Sequence, residues 1–155
     1  MLSFARVAAL VVAISATPAF AEMNGTLRIG VLNDMSSVYA DFQGAGSVLA
    51  AQMAAEDFAK TSKRKIEILS GDHQNKPDIG ANIARQWIET EGVNVILDIP
   101  NSAVGLAVRE VTRTHDAVDI NTGAASSDLT GKACSPPGRR CRSSSARHAA
   151  SRPCR

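Results

Sequence analysis

The chain has 155 residues, with 17 lysines and arginines against 15 aspartates and glutamates, and 45% of it is hydrophobic. Such a composition is that of one globular domain or a piece of a larger protein, and it excludes collagen-like and low-complexity classes. The formal charge of +2 comes from residues 137–155, which hold six arginines and no acidic residue. Residues 1–136 are acidic, with 11 basic against 15 acidic side chains. The net charge therefore does not indicate binding to nucleic acid.

Residues 1–21 have the pattern of a secretory signal peptide. Arg6 precedes an apolar run over residues 7–14, and Ala19 and Ala21 satisfy the small-residue rule for cleavage before Glu22. The apolar run is too short to span a bilayer, which needs about 20 residues. We therefore expect an exported chain that has no membrane span once the signal peptide is removed.

Apolar runs rich in β-branched residues alternate with segments of helical period from residue 26 onward. The predicted strands cover residues 26–32, 65–70, 93–99 and 117–121, and the predicted helices cover residues 44–61, 77–91 and 102–115. This alternation predicts an α/β fold with a doubly wound parallel sheet, in which ligands bind beyond the carboxyl ends of the strands.

Each predicted helix has an apolar stripe that should face the sheet. In the first helix we expect Phe58 to belong to this stripe and Leu49 and Met53 to lie beside it. The full stripes are Val48, Ala51, Ala55 and Phe58 in the first helix, Ile79, Ile83 and Trp87 in the second, and Val104, Ala107, Val108 and Val111 in the third.

The loops at the carboxyl ends of the strands carry hydroxyl groups and small side chains but few catalytic groups. Residues 123–127 can bring backbone N–H groups close to a ligand, and Ser102 puts a hydroxyl at a helix N-terminus, where the helix dipole favours an anion. Ser102 or Asn101 could equally serve as a plain N-cap. Tyr39, the only tyrosine, could cover an apolar ligand or be an exposed loop residue. These loops favour the binding of a carboxylate without bond-making chemistry.

Several familiar site patterns are incomplete in this sequence. The Gly44-Ala45-Gly46 segment lacks the third glycine of a dinucleotide fingerprint, and neither a nucleophile elbow nor a Walker A motif is present in the sequence. The acidic loop at Asp72 and His73 is better explained by solvated side chains than by a metal. Three cysteines and one histidine near the C-terminus do not have zinc spacing; they are Cys134, Cys141, His148 and Cys154. We therefore expect no cofactor and no metal, and an odd number of cysteines leaves one unpaired.

Four segments of the sequence, residues 27–39, 71–78, 98–104 and 120–131, together resemble one known group of proteins. The chain is similar to the N-terminal part of periplasmic substrate-binding proteins of branched-chain amino-acid type ABC transporters, the leucine-binding-protein-like group with the type I two-lobed fold. The resemblance implies that a ligand lies between two lobes, and that the first lobe holds the carboxylate and amino group of an amino acid. By position, it implies ligand-binding roles for Ser37, Tyr39, Ser102, Ala124, Ala125 and Ser126.

The same resemblance implies the partners of the protein. They are a small-molecule carboxylate ligand and, in the full-length parent, an ABC permease, with no nucleic acid and with a monomeric state. The pocket for the ligand's side chain comes largely from the second lobe in this group. The solute, a branched-chain amino acid or an aromatic acid, is therefore left open.

The domain organisation follows from a change in composition near residue 136. Residues 22–136 are predicted to form a partial N-terminal lobe, and residues 137–155 a disordered Arg-rich tail, since they contain no Leu, Ile, Val, Met or aromatic residue. Such strings are typical of GC-rich coding sequence read out of frame, so we interpret the chain as frameshifted and truncated. A natural basic tail for an anionic surface is the alternative. We also expect the fourth strand to be an open edge.

The sequence as a whole predicts a truncated extracytoplasmic solute-binding protein of an ABC importer that is not an enzyme. One alternative is a small secreted α/β domain with an enzymatic or sensory role. That alternative needs an acid–base cluster at the strand ends, where only Asp34, Asp72 and His73 are available. Another alternative is an interaction protein that acts through the basic tail.

Overall fold

The computed structural model describes residues 25–134 and 138–140. All four predicted strands and all three predicted helices are present, with ends that differ from the prediction by at most two residues. In chain order, the elements are β1 (Leu27–Asn33), α1 (Gly44–Thr61), β2 (Ile66–Asp72), α2 (Pro77–Thr90), β3 (Val95–Asp98), α3 (Ser102–Thr114), β4 (Val118–Asn121), a short 3-10 helix (Ser127–Thr130) and β5 (Gly138–Arg140). Within the described ranges, none of the helices is both long and apolar enough to cross a bilayer.

The strands form one parallel sheet in the order β2-β1-β3-β4-β5. After β1 the chain moves outward to β2, and it then returns to place β3 on the other side of β1. The direction of winding thus changes between β1 and β3, as the doubly wound fold predicts. In sheets of this kind the ligand crevice lies at that switch point, beyond the carboxyl ends of the strands.

The main core lies between the sheet and the helices α2 and α3. Its centre is Trp87, whose indole lies flat against two glycines of the sheet. A Cβ at Gly30 would lie 2.4 Å from Trp87 Cε3, and one at Gly71 would lie 2.8 Å from Trp87 Cζ2. The two glycines therefore leave the space that the indole fills. The other buried members of this core are Leu32, Ala84, Val93, Ile96, Ile99, Val104, Val108 and Val111.

Within the described residues, the opposite face of the sheet is covered less completely. Here α1 packs mainly on β1 and β2, and Val48, Ala51 and Ala55 are half-buried, in agreement with the predicted stripe. Phe58, however, is 46% exposed, so its predicted burial in the stripe is wrong. Side chains alternate along a strand, so four aliphatic residues of β3 and β4 face the same side and are half-buried: Val95, Leu97, Val118 and Ile120.

A buried ion pair connects α3 to β4 and to the segment that follows. Arg109 and Asp119 have side chains that are 1% and 0% exposed, and Arg109 Nη2 lies 2.6 Å from Asp119 Oδ2. Arg109 Nε donates to both carboxylate oxygens, at 2.8 and 2.9 Å. Arg109 Nη1 donates to the carbonyl of Leu129 at 2.9 Å. One guanidinium thus joins a helix, a strand and the 3-10 helix.

The C-terminal tail departs from the prediction at three residues. Gly138–Arg140 form β5, which pairs in parallel with β4, so these residues are not disordered and β4 is not an open edge. Strand pairing uses backbone N–H and C=O groups, which do not require apolar side chains. The rest of the tail and the predicted signal peptide lie outside the described residues. Cys134, just before the tail, is disulfide-bonded.

Candidate functional site

Ser102 is joined to the loop that follows β4. Its Oγ accepts hydrogen bonds from Ala125 N at 3.2 Å and from Ser126 N at 3.1 Å. The structure thus brings together three of the residues that the sequence predicted, because β3 and β4 are neighbours and their carboxyl ends share one edge. With its oxygen accepting two N–H groups, the Ser102 hydroxyl still has its own proton to donate.

The other two residues of this loop have mainly structural positions. Ala124 is 2% exposed, and its Cβ lies 3.6 Å from the place that a Cβ at Gly105 would occupy. The hydroxyl of Ser126 accepts from Asp128 N at 3.2 Å and so caps the 3-10 helix. Ala124 therefore packs beneath the loop, and the Ser126 hydroxyl is the N-cap of the 3-10 helix at the end of the loop.

The N-cap of α3 is Asn101, and Ser102 is the first residue of the helix. Asn101 Oδ1 accepts from Ala103 N at 2.7 Å and from Val104 N at 3.0 Å. Its Nδ2 donates to Asn75 Oδ1 at 2.5 Å. Asn75 belongs to the loop after β2, so this bond fixes the start of α3, and with it Ser102, to a second loop of the same edge.

Ser37 and Tyr39 lie in the loop after β1, which is organised around the buried carboxylate of Asp34. Ser37 Oγ donates to Asp34 Oδ2 at 2.6 Å, and Tyr39 N donates to the same oxygen at 3.0 Å. Burial raises the pKa of Asp34, but these hydrogen bonds together outweigh it, so the pKa lies below its ordinary value. Over the described part of the chain, no hydrogen bond joins this loop to Ser102, and the Ser37 hydroxyl is committed to Asp34.

A polar network that the sequence did not predict lies at the switch point between β1 and β3. Its centre is Asp98, which is 5% exposed. Asp98 Oδ2 accepts from Asn33 Nδ2 at 2.7 Å, and Asp98 Oδ1 accepts from Gln43 Nε2 and Thr122 Oγ1. Asp98 and the residue after it have φ angles of 88° and 57°, so the chain turns sharply where β3 ends. The signal that could have revealed this network in the sequence is Asp98, a charged residue inside the apolar run of the predicted third strand.

His73 is the second residue that the sequence analysis did not place in the site. It is 0% exposed, and its Nδ1 accepts from Asn75 N at 3.0 Å. Burial lowers the pKa of His73, and although nearby carboxylates act in the opposite direction, the pKa stays below its ordinary value. These carboxylates belong to Asp34, Asp72 and Asp98. His73 is therefore neutral at pH 7.

The chemistry available at this edge is hydrogen bonding. The Ser102 hydroxyl can donate at the positive end of α3, which suits a carboxylate. Among the residues of the described ranges, no group of three or more His, Cys, Asp or Glu side chains is placed to hold a metal ion. The arrangement offers one oriented donor, the Ser102 hydroxyl, at a helix N-terminus, a position that favours an anionic group.

A family model of periplasmic binding proteins matches residues 26–151 of the chain. The chain belongs to this family. Periplasmic binding proteins are solute-binding proteins of transport systems and are not an enzyme family. The matched range extends past residue 136, where the composition changes. No curated protein matched the sequence.

Solved periplasmic binding proteins have the same fold over most of the described chain. A periplasmic binding protein from Burkholderia mallei is 38% identical, with a TM-score of 0.70 over 73% of this chain and 30% of its own. A branched-chain amino acid ABC transporter periplasmic ligand-binding protein from Burkholderia xenovorans LB400 is also 38% identical, with a TM-score of 0.68 over 72% of this chain and 30% of its own. A solute-binding protein from R. palustris, solved with 4-hydroxybenzoate, is 25% identical, with a TM-score of 0.65 over 75% of this chain and 31% of its own. This chain thus spans about 30% of the length of these relatives.

Proposed function

We propose that the chain supplies one side of the ligand site of an extracytoplasmic solute-binding protein of an ABC importer. The ligand is a small carboxylate, either a branched-chain amino acid or an aromatic acid. Its carboxylate would bind to the Ser102 hydroxyl at the N-terminus of α3, beside Ala125 and Ser126. Export to the periplasm and delivery of the solute to a permease belong to the same proposal.

The observation that carries this proposal is the pair of hydrogen bonds from the Ala125 and Ser126 amides to Ser102 Oγ. They orient the hydroxyl and leave its proton as the available donor. The Asn101 cap keeps the first turn of α3 in place around it. A carboxylate is the ligand group that this donor and the helix dipole favour together.

The affinity of this side alone should be weak. One charge-assisted hydrogen bond from the Ser102 hydroxyl would contribute about 1.5 to 3 kcal/mol, whereas association costs about 4 to 15 kcal/mol. Micromolar binding requires about −8 kcal/mol. We therefore expect dissociation constants of about 1 mM or weaker, which NMR detects and calorimetry does not.

The test is a titration of the 15N-labelled chain with L-leucine, phenylacetate and 4-hydroxybenzoate, followed by amide chemical shifts. We expect shifts that saturate at millimolar concentration and centre on Ser102, Ala125 and Ser126. Phenylacetamide, which lacks the carboxylate, should cause much smaller shifts at the same amides. Ser102→Ala should weaken binding about tenfold or more, because it removes one charge-assisted hydrogen bond.

The matched control is Ser127→Ala, which removes an exposed hydroxyl from the first residue of the 3-10 helix after this loop and should leave the titration unchanged. Shifts that centre on the outer face of α1, or that are as large with phenylacetamide as with phenylacetate, would contradict the proposed carboxylate site. The same holds if Ser102→Ala binds as the unchanged chain does.

A further inference from the structure

The imidazole ring of His73 has two nitrogens, and only one of them, Nδ1, forms a hydrogen bond among the described residues. Nδ1 accepts the N–H of Asn75, so the proton of the neutral ring must be on Nε2. Nε2 is buried and has no hydrogen-bond partner among the described residues. A buried donor without a partner is unfavourable. The favourable contribution of the His73 ring is therefore the hydrogen bond that Nδ1 accepts.

The hydrogen bond that His73 Nδ1 accepts stabilises the turn at Gln74 and Asn75, and this turn contacts the start of α3. Gln74 and Asn75 have φ angles of 50° and 57°, a left-handed conformation that non-glycine residues adopt only when other contacts favour it. In this conformation Asn75 Oδ1 accepts from Asn101 Nδ2, and Asn101 caps the helix that begins with Ser102. A continuous series of hydrogen bonds thus leads from His73 to the proposed ligand site.

We propose that His73 is a positioning residue of this site, and that its neutral imidazole holds the N-terminus of α3 in place through Asn75 and Asn101. When the imidazole is protonated, Nδ1 carries a hydrogen and faces the N–H of Asn75, so the contact becomes repulsive. The turn, the Asn101 contact and the ligand site then loosen, and the solute is held more weakly in acid. The part of this inference that concerns the solute rests on the proposed function.

The surroundings of His73 determine the direction of the pH effect. Among the described residues, three carboxylates near the strand ends act on it: Asp34, Asp72 and Asp98. From the helices, the contacts on this side are apolar, since Gly80 of α2 lies between the His73 Cβ and the Val104 side chain. Because burial has the largest effect, the pKa of His73 lies below its ordinary value of about 6.5. Charging therefore occurs as the pH falls below that value.

The first experiment needs no ligand. In the 15N-labelled chain between pH 7.5 and 5, the His73 ring signals should titrate with a midpoint below 6.5, which is the ordinary value. The amides of Asn75, Ala103 and Val104 should shift with the same midpoint. If these amides do not follow the His73 ring, the proposal is wrong.

The second experiment uses His73→Asn, whose Oδ1 stands where Nδ1 stood and can accept the N–H of Asn75 without titrating. This variant should keep the amides of Asn75 and Ala103 near their neutral-pH positions throughout the range. His73→Leu should have them displaced at every pH. The control is His115→Gln on the exposed end of α3, which should leave the titration of Asn75 as it is. A pH dependence that persists in His73→Asn would overturn the proposal.

The third experiment adds phenylacetate, whose carboxylate stays ionised between pH 7.5 and 5.5. Binding should weaken about tenfold once His73 is charged, the factor for one hydrogen bond, and His73→Asn should bind equally at both ends of the range. If no carboxylate binds at any pH, the proposed function fails, while the ligand-free titration still decides whether His73 positions α3. If binding is equally strong in the charged state, the coupling to the solute is wrong.

Discussion

Replacing Arg109 by methionine should destabilise the protein severely, because it leaves the Asp119 carboxylate buried without its counter-ion. Asp119 is 0% exposed, and it would keep only Thr112 Oγ1 and Asn121 Nδ2 as donors, each at 2.8 Å. Removing one member of a buried pair costs about 3 to 5 kcal/mol. A domain of this size has a total unfolding free energy of about 5 to 15 kcal/mol, so a large share of the stability depends on one side chain.

Urea unfolding followed by circular dichroism measures this effect. With an m-value of about 2 kcal/mol/M, the midpoint should fall by about 1.5 to 2.5 M. The double variant Arg109→Met with Asp119→Asn should recover part of the loss, because the buried group is then uncharged. The control on the same helix is Arg113→Met, which breaks an exposed ion pair with Glu110 and should cost less than about 1 kcal/mol. Equal losses for Arg109→Met and Arg113→Met would refute this reasoning.

Further predictions concern the indole of Trp87 and the pH dependence of stability. Gly30→Ala should cost about 1 to 3 kcal/mol, since its Cβ would lie 2.4 Å from the Trp87 ring, whereas Gly25→Ala, with nothing within 4 Å, should be nearly neutral in the same urea experiment. A backbone carbonyl of α3 and the Glu89 carboxylate raise the pKa of His115, so its stabilisation is complete below about pH 6.5 and is lost as the pH rises through the folded-state pKa. His115→Gln should flatten that decline, and an unchanged slope of unfolding free energy above pH 6.5 would speak against it. The pKa of His73 is lowered, so its effect has the opposite direction: stability is lost as the pH falls below about 6.5.

The sequence predicted the order and type of the main elements because periodicity is a local property. It also placed Ser102 and the loop after β4 at the same edge of the sheet, since the carboxyl ends of parallel strands share one edge. The structure brings Ser102, Ala125 and Ser126 into hydrogen-bond contact. That they bind a solute stays a prediction.

The contacts that the sequence did not reveal join residues that are far apart in the chain. Gln43 lies 55 positions from Asp98, to which it donates, and no local pattern relates them. The sequence analysis considered His73 as a solvated loop residue or as part of an acid–base cluster, but not as a buried group, because the contacts that bury it include α2. The pairing of Gly138–Arg140 with β4 was missed for a different reason, since backbone hydrogen bonds leave no trace in side-chain composition.

The four half-buried aliphatic residues on the α1 side of β3 and β4 have a calorimetric consequence. The heat-capacity change of unfolding measures apolar surface that becomes wet only when the chain unfolds. Surface at Val95, Leu97, Val118 and Ile120 that already meets water in the described fold contributes nothing to this difference. The heat-capacity change should therefore be smaller than it would be if these four side chains were fully buried, and the stability should depend less steeply on temperature.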